Sequence, residues 1–533
     1  MSAAAGVLRP EAEARVGWRL PNWRWTPLLR GSSLLAAAVA LVVGALLGDP
    51  QALLTGPAGL AIGAAIIWRC YRGEERRFLL TLFVLAWSAR VVGAVVSHEA
   101  LMYLGKSGYA LQDDRAYDKL GWALVKVWSG TYPGVLDSDQ YLLVNYTYLL
   151  AILYWFIGHS LLAAKMLNVL FGGLVAVMTY ALTAEIFDRR AARIAAVLAA
   201  FFPSLLAWSV INLKDILVVL LTVTAIYGGV RYARRHTWWA LLLGLVAFLG
   251  LENLRQFVFF ILSWLMPMAY LFADRSEQRS GWRRLVLATI LGLVLIVPPG
   301  VYLYANNLRA FFLLLLPIAF VPAGLLLARD PGGRRKMLLL VPLVAGVLAL
   351  SYVTNNDKLG TNFLTPKALT EAEWKRWLEE SKASTGNDEF NGIKPPKDAS
   401  DIVERSMTYL PRGVLYVLFG PTPWTARSGA ARAVIPEMLL WYGLLAAAVA
   451  GLLSTFKTRW RDLILPLGFA AAWIVALALT EGNTGNIFRH RSQFMPFIFM
   501  MSAVGLPWFW SQYRARRAAA PRPAGLAQVA EEA

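Results

Sequence analysis

Cysteine, histidine and charged residues are all scarce in this chain. The single cysteine, Cys70, excludes an internal disulfide and a cysteine metal site. The four histidines show no metal-ligand spacing. Charged residues make up 16% of the chain, against about 25% in soluble domains. There is also no P-loop, no dinucleotide fingerprint and no GxSxG elbow, so the usual nucleotide-binding and serine-hydrolase motifs are excluded.

The chain consists largely of long apolar runs. Hydrophobic residues make up 58% of the 533 residues, and the mean hydropathy is +0.51. A run of about 20 apolar residues spans a bilayer as a helix, and the pattern predicts an all-α polytopic membrane protein with about 14 transmembrane helices. The predicted spans are 32–48, 52–68, 78–97, 161–187, 191–210, 213–231, 238–251, 256–272, 285–304, 310–328, 337–353, 434–455, 463–480 and 493–511.

The basic residues predict the orientation of these helices. The formal charge of +19 lies mostly in alternate linkers such as RCYRGEERR, DRRAAR, RYARRH and KTRWRD. The positive-inside rule places these linkers and both termini in the cytoplasm, and the charge is therefore not assigned to nucleic acid. Segments 141–158 and 411–424 are predicted to lie in the outer interface, since a crossing at 141–158 would turn every later basic linker outward. The Ala-, Leu- and Arg-rich composition suggests a bacterial inner membrane.

The same pattern divides the chain into six parts. They are a cytoplasmic segment 1–31, two extra helices in 32–77, a transmembrane core 78–353 with a first outer loop 98–160, an outer loop 354–433, three last helices in 434–511 and a tail 512–533. Within the outer loop, 365–384 is predicted to be an amphipathic helix that begins with a capping box.

The first outer loop contains an acidic pair at the start of an amphipathic helix. Asp113 and Asp114 precede Tyr117 and an apolar face that ends before Gly130 and Pro133. One interpretation is that the aspartates cap the helix. The other is that one of them acts as a general base, the two carboxylates raising one another's pKa.

Further polar side chains lie in the linkers predicted to face outward. Each of these groups also has an ordinary explanation as a turn, a local ion pair or a contact with lipid headgroups. The candidates are Lys214 and Asp215 at a helix start, Glu252, Asn253 and Arg255 in a hairpin turn, and Arg489, His490 and Arg491 before the last helix. The arginines break the charge rule, and Arg offers bidentate donors to phosphate oxygens.

The order of these motifs resembles the GT-C superfamily of membrane glycosyltransferases. The acidic pair and Tyr117 are followed by FIGHS, LNVLFGG and AAVLAAFFPSLLAWSVINLKD, and NIFRHRSQFMPFIFMMSAVGL resembles the closing helix. The set is most similar to the protein-mannosyltransferase and aminoarabinose-transferase branch. Two extra helices before 78–97, and the long segment 354–432, depart from that pattern.

The resemblance implies an inverting transferase with an extracytoplasmic active site. The donor would be a polyprenyl-phosphate sugar, and the acceptor a glycan, lipid or protein. It assigns Asp113 as the base with Asp114 as its partner. Donor phosphate binding is expected at Arg489, Arg491, His490, Lys214 and Arg255, and the cavity is expected to include Tyr117, Asp215, Glu252 and Asn253.

Three alternatives stay open at this stage. No cofactor is expected, although a divalent cation at Asp113 and Asp114 is an alternative. A glycan polymerase or ligase would take a polyprenyl-pyrophosphate oligosaccharide instead. A non-enzymatic transporter of lipid-linked glycans would need polar residues along the middle of several helices, and these are mostly Leu, Val and Ala.

Overall fold

The computed structural model describes residues 49–131, 145–273 and 399–519, together with Ala38 and without positions 253, 425, 427, 428, 482 and 483. These residues form helices and no strands. The helices are α1 Pro50–Cys70, α2 Gly73–Tyr103, α3 Gln112–Trp128, α4 Asn145–Ile157, α5 Leu161–Ile186, α6 Arg189–Phe201, α7 Pro203–Ser209, α8 Asp215–Arg235, α9 Trp238–Leu251, α10 Gln256–Ala273, α11 Ala399–Phe419, α12 Gly429–Ala433, α13 Ile435–Thr480, α14 Thr484–Arg491 and α15 Met495–Ala519.

Several helices are long and apolar enough to cross a membrane, as a multi-pass protein requires. In the described part of the chain these are α1, α2, α5, α8 and α13, or six spans if the bent pair α6 and α7 counts as one. The predicted total of about 14 is therefore not confirmed. The predicted helices 285–304, 310–328, 337–353 and 365–384, and nearly all of 32–48, lie outside the described residues.

Helix α13 covers two predicted spans, 434–455 and 463–480, as one run of 46 helical residues. Near its start Met438 contacts Arg491, and near its end Trp473 donates to the backbone of His490. In a straight helix, at 1.5 Å per residue, Met438 and Trp473 would lie about 50 Å apart. The chain direction must therefore reverse within α13, as the two predicted spans require.

The bundle has two polar ends, which we name after the two ends of α8. At the Arg235 end, ion pairs join Arg189 to Glu75 and Arg235 to Glu185. In addition, Arg459 donates to the carbonyl of Ile186. Four basic linkers predicted to share one side of the membrane thus meet there: 69–77, 188–193, 231–236 and 457–462. At the Asp215 end lie the first turn of α3, the start of α8, the α9–α10 turn and α14.

Predicted span 191–210 is broken at Pro203, where α6 and α7 meet at 54°. Proline has no N–H, so the carbonyl of Ala199 loses its helical donor. The guanidinium of Arg90, fully buried on α2, hydrogen-bonds the carbonyls of Ala199 and Ala200 and the hydroxyl of Ser209. A cation inside a predicted span thus satisfies backbone that would otherwise be unpaired at membrane depth.

The first loop folds onto the Asp215 end. Helix α3 is amphipathic, as predicted, and its buried face packs on α4. Helix α4 has 13 residues, about 20 Å at 1.5 Å per residue, which is too short to cross a bilayer of about 30 Å. This length agrees with the predicted interfacial position of 141–158, and by the same measure α9, with 14 residues, does not confirm the predicted span 238–251.

Candidate active site

The candidate active site is an ion-pair network between four chain segments that are far apart in sequence. Asp113 lies in the first turn of α3, where a carboxylate interacts favourably with the helix dipole. Arg489 lies on α14, and its Nη1 is 2.8 Å from Asp113 Oδ2. The Asp113 side chain is 47% exposed, whereas that of Arg489 is 9% exposed. The structure therefore brings the predicted base and a predicted phosphate ligand together.

Asp215, the first residue of α8, lies at the centre of the network and is fully buried. Arg489 Nη2 lies 2.6 Å from Asp215 Oδ2, and Arg489 Nε donates to the same oxygen at 2.7 Å. Arg255 Nη2 lies 3.5 Å from Asp215 Oδ1. A buried charge is tolerated only when it is paired, and here one carboxylate holds two guanidinium groups in place.

Two hydrogen-bond donors of Arg255 are unused among the described residues. Its Nε and Nη2 are buried, and neither makes a hydrogen bond to any residue that the structure describes. Unused donors of this kind are costly in a folded protein, because each has lost its water without gaining an acceptor. An anion bound beside Asp215 would satisfy them.

Lys214 and His490 complete the ring around Asp215. The ammonium of Lys214 lies 5.9 Å from the centre of the Tyr117 ring, which is buried edge-to-face against Tyr146. Burial, together with the nearby Arg255, lowers the pKa of Lys214 to about 8. His490 Nδ1 lies 3.0 Å from Glu481, and its Nε2 lies 4.0 Å from Asp215.

The protonation state of His490 follows from this crowding. Burial and the neighbouring Arg255 lower its pKa, and Glu481 only partly opposes them. Near pH 7 the imidazole is therefore neutral. Three cations, Lys214, Arg255 and Arg489, then lie close to the carboxylates of Asp113 and Asp215, and the carboxylate of Glu481 lies on the far side of the neutral His490.

Asp114 points away from this network. Its side chain is fully buried, and Oδ2 accepts from the Ala110 N–H at 2.9 Å, so neither aspartate caps the first-turn N–H groups as the capping interpretation expected. Burial raises the pKa of Asp114 to about 6. Adjacent residues of a helix diverge by about 100°, which explains why the two carboxylates have different surroundings.

Arg491 also lies apart from the network. It is fully buried, its Nε donates to the carbonyl of Val417 at 3.0 Å, and its Nη2 donates to that of Gly420. These carbonyls are at the end of α11, and Nη1 lies 3.0 Å from Met438 Sδ, so the contacts of Arg491 are with residues outside the network. Glu252 lies in the α9–α10 turn with Arg255, where partial burial raises its pKa. Asn253 lies outside the described residues.

Asp118 was not predicted as a site residue from the sequence. This buried carboxylate accepts from Tyr109 Oη at 2.7 Å and Tyr154 Oη at 2.6 Å, and His159 Nε2 lies 3.0 Å away. Burial opposes its ionisation, but the three partners outweigh burial and lower its pKa. One signal was available, because Asp114, Tyr117 and Asp118 share the buried face of α3.

No group of three or more His, Cys, Asp or Glu side chains in the described part of the chain could hold a metal ion. A divalent cation held by Asp113 and Asp114 would need both carboxylates to point toward it, but the two point in different directions. Asp113 instead faces a guanidinium.

One comparison with known proteins gives a match. Residues 144–302 match the family model described as dolichyl-phosphate-mannose-protein mannosyltransferase, which covers less than half of the chain. The matched segment contains Lys214, Asp215 and Arg255, but neither Asp113 nor Arg489. No curated protein matches the chain. The match supports the GT-C superfamily, with a sugar donor linked to a lipid, and it does not choose between the two branches named above.

Proposed function

We propose that this chain is a membrane glycosyltransferase that moves a sugar from a polyprenyl-phosphate donor to an acceptor at the Asp215 end. The observation that carries the proposal is the buried guanidinium of Arg255, whose Nε and Nη2 lack hydrogen-bond acceptors among the described residues, beside Lys214 and Arg489. Cations with unused donors at a buried site fit a phosphate. The half-exposed Asp113 is the carboxylate that an acceptor would reach.

The cations also bear on the leaving group. A polyprenyl-phosphate sugar is a phosphodiester with one negative charge, and breaking its bond to the sugar leaves a phosphate monoester with up to two. Preorganised cations also stabilise charge that develops on a leaving group.

The proposed reaction is one displacement. Asp113 accepts the proton of the acceptor nucleophile, whose electron pair forms a bond to the anomeric carbon of the sugar. The bond from this carbon to the phosphate oxygen breaks, and its electrons stay on the oxygen of the released polyprenyl phosphate. Such a displacement inverts the anomeric centre. Arg255 and Lys214 bind the phosphate, and Arg489 lies between the phosphate and Asp113.

We also propose that the Arg235 end faces the cytoplasm of a bacterial cell. In the described part of the chain its arginines include well-exposed ones such as Arg189 and Arg235, as the positive-inside rule expects of a cytoplasmic face. The donor would then be used on the outer side of the membrane.

A transfer assay with a matched pair of variants tests the donor site. Purified protein in nanodiscs receives radiolabelled polyprenyl-phosphate sugars, a polyprenyl-pyrophosphate oligosaccharide and a nucleotide sugar, with total membrane glycans as acceptor. Arg255→Gln is expected to raise the donor KM at least about tenfold, since a charge-assisted hydrogen bond contributes about 1.5–3 kcal/mol. The control, Arg459→Gln, removes an arginine at the Arg235 end. Equal KM values for both variants, or transfer only from a nucleotide sugar, would overturn the proposal.

A further inference from the structure

The side chain of Asn212 joins three elements at the Asp215 end. Asn212 lies in the non-helical segment between α7 and α8 and is fully buried. Its Nδ2 donates to the backbone carbonyl of Asp114 at 3.2 Å. Its Oδ1 accepts from Tyr146 Oη, on α4, at 2.6 Å. One amide therefore links the first turn of α3 both to α4 and to the segment that leads into Lys214.

This segment has a second support that does not involve Asn212. Asn168, buried on α5, donates from Nδ2 to the carbonyls of Ile211 at 2.7 Å and Leu213 at 2.9 Å. The backbone on either side of Asn212 is therefore held from α5. Loss of the Asn212 side chain would leave this segment in place and remove its hydrogen bond to the first turn of α3.

We propose that Asn212 is a positioning residue that sets the distance between Asp113 and the cations at the start of α8. The bond to the Asp114 carbonyl is one peptide unit from Asp113, and it is made from a residue only two positions before Lys214. The Asp113 side chain itself is held by its ion pair with Arg489, while Tyr117, one turn further along α3, faces Lys214. A bound phosphate would compete for that ion pair. The backbone link through Asn212 would then keep Asp113 at the proper distance.

The inference rests on the proposed function for its kinetic test. Asn212→Leu removes both hydrogen bonds at similar volume, and Tyr146→Phe removes the hydroxyl that donates to Oδ1 but leaves the bond to the Asp114 carbonyl in place. Thr222→Val is the matched control, because Thr222 is equally buried on α8 and bonds the Val218 carbonyl of its own helix. Since misplacement by about 1 Å costs about 100-fold in rate, Asn212→Leu should lower kcat about 100-fold. Its donor KM should stay within about threefold.

A distance measurement tests the same inference without activity. Spin labels are attached at exposed Lys119 on α3 and exposed Leu249 on α9, in a Cys70→Ser background. They report the distance between α3 and α9, which packs on α8. Asn212→Leu should shift or broaden the distance distribution, Tyr146→Phe should do so less, and Thr222→Val should leave it unchanged.

The outcomes separate the two proposals. An unchanged distance distribution in Asn212→Leu and Tyr146→Phe overturns the positioning role, whatever the activity. A fall in kcat no larger than that of Thr222→Val, or a loss confined to KM, also overturns it. If the wild type transfers sugar from no lipid-linked donor, the proposed function fails, and the distance measurement alone decides the role of Asn212. If Asn212→Leu does not fold, Tyr146→Phe carries the test.

Discussion

The two polar ends of the bundle use the same residue types in opposite ways. At the Arg235 end the arginines are the exposed partners, as with Arg189 at 77% and Arg235 at 57%, while Glu185 is buried. At the Asp215 end the side chains of Arg489 and Arg255 are only 9% and 19% exposed around a fully buried carboxylate, and Asp113, at 47%, is more exposed than either. Solvated arginines suit a topological anchor, whereas buried cations around one carboxylate suit the binding of an anion.

The largest difference should appear when each buried carboxylate is neutralised. Asp215→Asn leaves Arg489 and Arg255 without their shared counter-charge, which should destabilise the protein by about 3–5 kcal/mol and abolish transfer. Glu185→Gln should cost about 1 kcal/mol, since its arginines reach water. Denaturant unfolding in detergent measures both. Equal losses of stability would break the distinction between the two ends.

A smaller effect is expected for Arg491, which lies apart from the ion-pair network. Arg491→Met leaves the buried carbonyls of Val417 and Gly420 without donors, which should cost about 2–4 kcal/mol of stability. Its donor KM should stay within about threefold of the wild-type value. Thermal unfolding and transfer kinetics measure the two effects. A raised KM with unchanged stability would instead support the phosphate-binding role predicted from the sequence.

The smallest effect concerns Asp114 and depends on pH. Burial raises its pKa in the folded protein to about 6, above the value of 3.8 for an exposed carboxyl. The folded state binds more protons between these values, so stability falls as pH rises from about 4 to about 6. Asp114→Asn should therefore stabilise the protein at pH 8 by about 2 kcal/mol, and this gain should vanish below pH 4. Unfolding at several pH values checks it, and a destabilised Asp114→Asn at pH 8 would contradict the burial argument.

The sequence predicted the elements of the site better than their pairing. Apolar periodicity and the placement of basic residues identified which linkers share an end, because both follow from the bilayer. Side-chain direction did not follow, since adjacent residues such as Arg489 and Arg491, or Asp113 and Asp114, face different neighbours once tertiary packing is set. Asn212 was missed because its hydrogen bonds join residues remote in sequence.

Arg90 shows the same limit. Arg90 was not singled out from the sequence, because its role depends on carbonyls near Pro203 on another helix. The reversal within α13 was, by contrast, predicted from composition, because the basic linker KTRWRD separates two apolar runs.

The central claim is that Asp113 removes the proton of the acceptor while the cations hold the donor. Single-turnover transfer and donor binding, measured separately for the wild type and Asp113→Asn, test it most directly. We predict that donor affinity is unchanged or tighter, since Arg489 is released for the phosphate. The transfer rate should fall about 1000-fold, within the range that general bases contribute. Transfer by folded Asp113→Asn at the wild-type rate would contradict the account.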